Sequence, residues 1–198
     1  MLKLTVSGGH HSIGSLLTWL LIELDRHPTC YEKLMAEVRD VDPLNAGFLD
    51  AKTPYLDAIL KEVNRLYPTV HATVRAVNRE ITLTTSKTPV ILKPGMLVYL
   101  SYLHLHTSTR YWGANAKEFV PERFLEGDAA KNPAYMPFGA GPRSCVRKFH
   151  STLSTVLTCV GRIQVRDARD QSLLGTTVAN MYYRGAGKEL RRSCPHVG

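Results

Sequence analysis

The chain is 198 residues long, with 44% apolar residues and a net charge of +8 from 25 Lys and Arg against 17 Asp and Glu. That apolar share supports one sizeable core or two small ones and excludes intrinsic disorder for most of the length. The positive balance suits an acidic protein partner, an anionic membrane surface or nucleic acid, and charge alone does not choose among them.

The cysteines, Cys30, Cys145, Cys159 and Cys194, are widely spaced and form no Cys-x-x-Cys, so a disulfide scaffold is excluded and a reducing compartment is the default. No run reaches the roughly 18 to 20 apolar residues of a membrane-spanning helix, and the N-terminus lacks a charged start and cleavage site. The chain as given is expected to be soluble or peripherally attached.

In chain order, Leu16, Leu17, Leu20, Leu21 and Leu24 form a wide apolar stripe that predicts a core helix from about Ser12 to Leu24. His27-Pro28 interrupts it. Thr29 to about Val41 reads as a second, amphipathic helix with Glu32, Lys33, Glu37 and Arg39 on its outer face, and Asp42 to Gly47 as a loop. A third helix is predicted from about Thr53 to Leu66, with Pro54 in its first turn and Pro68 closing it. Alternation at Ile81-Thr82-Leu83-Thr84, then Val90-Ile91-Leu92, a Lys93-Pro94-Gly95 turn and Leu97-Val98-Tyr99-Leu100 predict short strands in hairpins.

Ser108 to Pro142 has little periodicity and much Pro, Gly, Asn and Asp, which predicts a long ordered loop held by packing. A last helix is expected from about Lys148 to Val160, followed by a basic tail. Residues 162 to 198 carry seven Lys or Arg against three acids. The predicted class is mainly α with a small β-sheet.

The strongest chemical signal closes the long loop, in Phe138-Gly139-Ala140-Gly141-Pro142-Arg143-Ser144-Cys145. Two glycines two apart let the backbone turn tightly and approach a flat ligand, and a cysteine just before a helix can present a metal-binding thiolate. A buried structural cysteine after a glycine turn is the plain alternative. Glu62 and Arg65 stand i, i+3 on the third helix, spaced for a charge-assisted pair.

This string is similar to the cytochrome P450 pattern Phe-Gly-x-Gly-x-Arg-x-Cys at every fixed position, and the other motifs follow in the family's order. The resemblance is to the eukaryotic microsomal or fungal type. It implies the part of the cytochrome P450 fold from the central helix to the haem-loop helix, the C-terminal half, over about Leu4 to Val165. Residues 1–165 are therefore expected to be a partial haem domain and 166–198 an unassigned basic tail. The half not represented would supply the membrane anchor, the substrate roof and one wall of the pocket.

The resemblance implies haem b as cofactor, with Cys145 as its axial thiolate and metal ligand, Phe138 near the sulfur, and Gly139 and Gly141 in the haem loop. It puts Arg143 on one haem propionate and Arg75, on a strand, on another. Glu62, Arg65 and the Arg123 of Pro121-Glu122-Arg123-Phe124 would form a buried structural triad bracing that loop. His106 with Trp112-Gly113 resembles the lead-in to that motif, and a hydrogen-bonded packing role explains His106 equally. A surface ion pair is the alternative for Arg75.

Gly8-Gly9-His10-His11-Ser12-Ile13 occupies the family's oxygen-activating segment, with His11 for the acid, Ser12 for the first threonine and Ile13 for the second. His11 and Ser12 are the catalytic candidates, since an imidazole and a hydroxyl relay protons; lost constraint is the alternative. His10 and His11 do not share a metal, because neighbours on a helix point about 100° apart. A second departure is Cys145-Val146-Arg147-Lys148-Phe149, where the family's Cys-x-Gly lacks its glycine.

Three functions are compatible with these residues. The first is a haem-thiolate monooxygenase using dioxygen, a small apolar substrate and an NADPH-dependent reductase, docked on the basic surface, with full-length relatives often anchored at the endoplasmic reticulum. The second is a truncated, catalytically silent haem-binding remnant. The third is a basic nucleic-acid or membrane-surface module, resting on charge alone.

Overall fold

The computed structural model describes residues 2–39, 53–85, 88–125 and 128–146. The expected loop at Asp42–Gly47, the helix from Lys148, Phe149 with its missing glycine, and the basic tail lie outside the described residues. The chain divides into two compact units, one running to Leu56 and the other from Asp57 to Lys148.

In the first unit α1 covers Leu2–Arg26, starting ten residues before the expected Ser12. Gly8 and Gly9 do not break it, although each costs a helix about 1 kcal/mol relative to alanine. Leu16, Leu20 and Leu24 are buried at every fourth position, with Leu17 and Leu21 half-buried beside them. Glu23 is buried on the same helix and bonds the Arg26 guanidinium at 3.0 Å.

The second helix, α2, is Pro28–Val38, with proline in the first turn, where no N–H is needed. Cys30, Leu34, Met35 and Val38 form its buried face. Glu37 does not join Glu32, Lys33 and Arg39 on the outer face as expected. It is half-buried, and its carboxylate accepts the Tyr55 N–H on Oε1 and the Leu56 N–H on Oε2, both at 2.8 Å. Those amides belong to the first turn of α3 (Pro54–Leu66) and have no partner within the helix. A carboxylate there also meets the positive end of the helix dipole.

The second unit takes up the rest of α3, then β1 (Ala72–Ala76), β2 (Ile81–Leu83), β3 (Val90–Leu92) and β4 (Leu97–Ser101). The strands make two antiparallel pairs rather than one run of hairpins: β2 with β3, and β1 with β4. The Lys93-Pro94-Gly95 turn does join β3 to β4. It is docked on β1's end, because the Gly95 N–H reaches the Val77 carbonyl and the Val77 N–H the Met96 carbonyl, both at 2.9 Å. Strand β4 therefore continues along β1, with Arg75 opposite Val98.

Two short helices were not foreseen, α4 (Tyr102–Thr107) and α5 (Thr109–Trp112). Ser101, the last residue of β4, caps α4 by accepting the His104 N–H at 3.2 Å. The remaining path to Cys145 is loop with 3-10 turns at Pro121–Phe124, Asp128–Lys131 and Gly141–Arg143. As expected, packing holds it: Ala58, Trp112, Ala116 and Phe124 form a buried cluster, with Ala129 and Tyr135 against it. Among the described residues no helix is long and apolar enough to cross a membrane.

Candidate functional site

Glu62 and Arg65 are both fully buried, which for two charges demands near-complete pairing. A guanidinium has five N–H donors, and here all five are used. Nε reaches Glu62 Oε2 at 2.7 Å and one terminal nitrogen reaches Glu62 Oε1 at 2.8 Å and the Glu118 carbonyl at 3.1 Å. The other reaches the carbonyls of His106 at 2.7 Å and Ala116 at 2.5 Å. Trp112 lies under the guanidinium, 4.9 Å from ring centre to carbon.

Glu62 Oε1 also accepts the Val120 N–H at 2.9 Å and Arg123 Nε at 3.0 Å, and Arg123 reaches the Asn115 carbonyl at 3.2 Å. Glu62, Arg65 and Arg123 thus come together, and through backbone atoms they fix residues 106, 115, 116, 118 and 120. Backbone groups spread from residue 106 to 120 are pinned by side chains from α3 and from the Pro121–Phe124 turn.

His106 is buried beside this cluster. Its Nδ1 lies 3.2 Å from the Arg65 carbonyl and its Nε2 2.9 Å from the Met136 amide nitrogen. A carbonyl only accepts and an amide N–H only donates, so Nδ1 carries the hydrogen and Nε2 is bare: the ring is neutral. Burial, aided by the nearby Arg65 guanidinium, pushes its pKa from 6.5 down to about 4, against the Arg65 and Asn64 carbonyls that favour the proton. The Tyr135 ring lies tilted against the imidazole, centres 5.7 Å apart, and its hydroxyl donates to the Lys61 carbonyl at 3.2 Å. Burial raises that phenol above the ordinary tyrosine range.

Beyond Met136 the chain turns into the glycine loop. The Gly139 N–H bonds the Met136 carbonyl at 3.1 Å, the Ser144 N–H the Gly141 carbonyl at 3.0 Å, and the Cys145 N–H the Phe138 carbonyl at 2.9 Å. Gly139 and Gly141 have φ of 69° and 72°, the left-handed region that side chains disfavour. At Gly139 a Cβ would stand 3.2 Å from the Tyr102 hydroxyl, whereas at Gly141 it would meet nothing within 4 Å. Residues 140–146 are all exposed, so Arg143 and the free thiol of Cys145 face outward.

Among the described residues no group of three or more His, Cys, Asp or Glu gathers as a chelating set. A metal that arrives with its own equatorial ligands needs only one axial donor, and the Cys145 thiol is such a donor. A loop free of Cβ atoms at two positions lets a flat ligand approach closely, so the residues present fit a haem.

The other candidates are Arg75, His11 and Ser12. Arg75 is exposed on β1 and donates to the Thr73 hydroxyl at 3.0 Å, its neighbour on the same face. His11 is exposed and Ser12 half-buried on α1. Sequence reasoning did not reach Tyr102, Met136 or the second hydrogen bond of His106, since none belongs to a motif. The available signal was the place of His106 in the lead-in to Pro121-Glu122-Arg123-Phe124, for which a hydrogen-bonded packing role was one of two readings.

The family model "Cytochrome P450" matches residues 3–148. The chain is similar to cytochrome P450 734A2 of Oryza sativa subsp. japonica, 35% identical over 158 residues, covering 76% of this chain and 28% of that protein. It is similar to the cytokinin hydroxylase of Arabidopsis thaliana, 33% identical over 141 residues, 70% of this chain and 27% of that protein. The cytochrome P450 monooxygenase sphH of Aspergillus fumigatus is 33% identical over 159 residues, 71% of this chain and 28% of its own. The chain spans a little over a quarter of the length of these curated relatives.

Proposed function

Because the chain belongs to the cytochrome P450 family of haem monooxygenases, we propose that residues 1–165 are the haem-thiolate part of such an enzyme and that Cys145 is its axial ligand. The observation that carries this is the exposed free thiol of Cys145 at the end of the left-handed glycine loop, its amide tied to the Phe138 carbonyl. Phe138 would pack beside the sulfur, Gly139 and Gly141 would let the ring approach, and Arg143 and Arg75 would pair with its propionates. When bound, a thiolate-ligated haem supplies two-electron activation of dioxygen for oxygen insertion into an organic substrate.

The Glu62, Arg65 and Arg123 cluster holds the loop's approach and touches no substrate; its role is structural. His11 and Ser12 would relay protons at their imidazole nitrogens and hydroxyl. The basic surface would dock an acidic, NADPH-dependent reductase, and the substrate class is a small apolar molecule. A second reading, a haem-binding member without turnover, is favoured by His11 and Ile13 standing where the family has an acid and a threonine.

The test is the carbon monoxide difference spectrum of the reduced, haem-loaded chain. A strongly red-shifted band, absent in Cys145→Ala, is the expected result. A band at the position of neutral ligation, or the same band in both proteins, overturns the assignment of Cys145. A red-shifted band without oxygen insertion in the presence of a reductase selects the second reading.

A further inference from the structure

We propose that His106 is a positioning residue for Cys145, its neutral imidazole tying the loop that carries the thiol to the buried Glu62–Arg65 pair. The inference rests on the reading of Cys145 as the ligand. It starts from a contrast in how the loop is held. Residues 140–146 are exposed, so side-chain packing does not set where the sulfur points. Backbone hydrogen bonds hold the loop's path, and they connect back to the imidazole of His106.

The Arg65 carbonyl lies in the last turn of α3, among the four that no helical N–H satisfies. His106 Nδ1–H takes that carbonyl at 3.2 Å, and Nε2 takes the Met136 N–H at 2.9 Å. Met136 in turn offers its carbonyl to Gly139 at 3.1 Å, and the adjoining Phe138 carbonyl binds the Cys145 N–H at 2.9 Å. The helix end of a cluster with every guanidinium donor satisfied is thereby connected, through one ring, to the amide of the proposed ligand. A leucine at 106 would fill the same space against Tyr135 and remove the hydrogen bonds that the imidazole makes to the Arg65 carbonyl and the Met136 amide.

The link also has a built-in acid limit. Protonation would place a hydrogen on Nε2 facing the Met136 N–H, two donors pointed at each other. The charged and titratable groups beside the ring are Arg65 from α3, itself ion-paired with Glu62, and Tyr135 from the loop, whose phenol burial raises above the ordinary tyrosine range. Burial holds the folded ring neutral down to about pH 4, so milder acid acts by favouring opening of the link, in which the imidazole is free to take up a proton.

The experiment is amide hydrogen exchange on the full chain without haem, as protection factors near pH 7 and pH 5, for the wild type, His106→Leu and His106→Gln. His106→Leu is expected to lose about tenfold protection at Met136, Gly139 and Cys145 and to keep it at Val120, whose amide is held by Glu62. Equal protection of the three loop amides in wild type and His106→Leu overturns the proposal, as does a loss that includes Val120, which marks a general role in folding. Glutamine offers one donor and one acceptor without titrating, so His106→Gln should keep the loop amides protected at pH 5 where the wild type begins to lose them. If His106→Leu does not fold, this pH contrast decides, and parallel pH profiles overturn the link. The wild-type carbon monoxide spectrum stands apart: a failed spectrum with intact loop protection refutes the ligand and not the link.

Discussion

The buried cluster on α3 and the exposed loop that ends at Cys145 are built on opposite rules. Around Arg65 every donor has a partner and no surface is left. Around Cys145 every side chain from residue 140 to 146 is open, and order comes from three backbone hydrogen bonds and two left-handed glycines. The first arrangement suits a brace, because a satisfied buried network has one geometry and moving it costs several bonds at once. The second suits a docking face, because what remains unsatisfied there is available to a ligand. His106 stands between them.

The largest test of this contrast is Arg65→Leu. It leaves the Glu62 carboxylate buried beside Arg123 and removes the donor from three carbonyls, a loss of about 3–5 kcal/mol. Thermal denaturation followed by circular dichroism should show the midpoint lowered by about 10 °C or more, or no cooperative transition. Arg65→Lys, with three donors and no planar fork, should recover only part. A midpoint within a few degrees of wild type would mean that the cluster is not a brace.

Next in size is acid. The unfolded chain takes up a proton at His106 near pH 6.5 and the folded chain only near pH 4, so below pH 6.5 the unfolded state binds more protons. The contribution is fully present above pH 6.5 and falls by about 1.4 kcal/mol per pH unit down to about pH 4, roughly 3 kcal/mol in all. Urea denaturation at pH 7 and pH 5 should show this slope in the wild type and a shallower one in His106→Gln. Identical slopes would mean that His106 is not held neutral by the fold.

A smaller effect belongs to the loop itself. Gly139→Ala should cost about 1–2 kcal/mol from its positive φ, with added crowding because the new Cβ stands 3.2 Å from the Tyr102 hydroxyl. Gly141→Ala carries similar strain in open space, so its midpoint should fall less. Pairing Gly139→Ala with Tyr102→Phe should return the crowding part alone. If Gly141→Ala costs as much, Tyr102 plays no part in shaping the loop.

The brace was more legible in the sequence than the link. The i, i+3 spacing of Glu62 and Arg65 is too common to signal a brace by itself; Pro121-Glu122-Arg123-Phe124 and the glycine motif ending at Cys145, following in the family's order, give it meaning. The β2–β3 hairpin follows from local alternation. Strand β1 does not, because its partner β4 lies beyond that hairpin, and the bonds of Gly95 and Met96 to Val77 that extend the pairing join residues nearly 20 apart. Helices of six and four residues, α4 and α5, are too short for a periodic signal. Glu37 was misread for a related reason: its value as a cap depends on where α3 begins in space, not on its own helix face. His106 and Met136 are 30 residues apart and share no pattern. Bonds between a side chain and a distant backbone leave no trace in residue type.

The smallest expected change is at the residue with the most chemistry. The Cys145 side chain is exposed and its structural contact is a backbone N–H that alanine retains. Cys145→Ala should therefore melt with the wild type, within about 0.5 kcal/mol, and should keep the amide protection that His106 confers. A loop stabilised by its own cysteine would instead lose stability along with the thiol. If Cys145→Ala melts several degrees lower without haem, the sulfur is packed into the fold, and the plain structural cysteine becomes the better account of the motif. If the midpoint holds, the loop's geometry is set upstream of the thiol, by Gly139, Gly141 and His106. Cys145 is then free to act as a ligand because the fold does not need it.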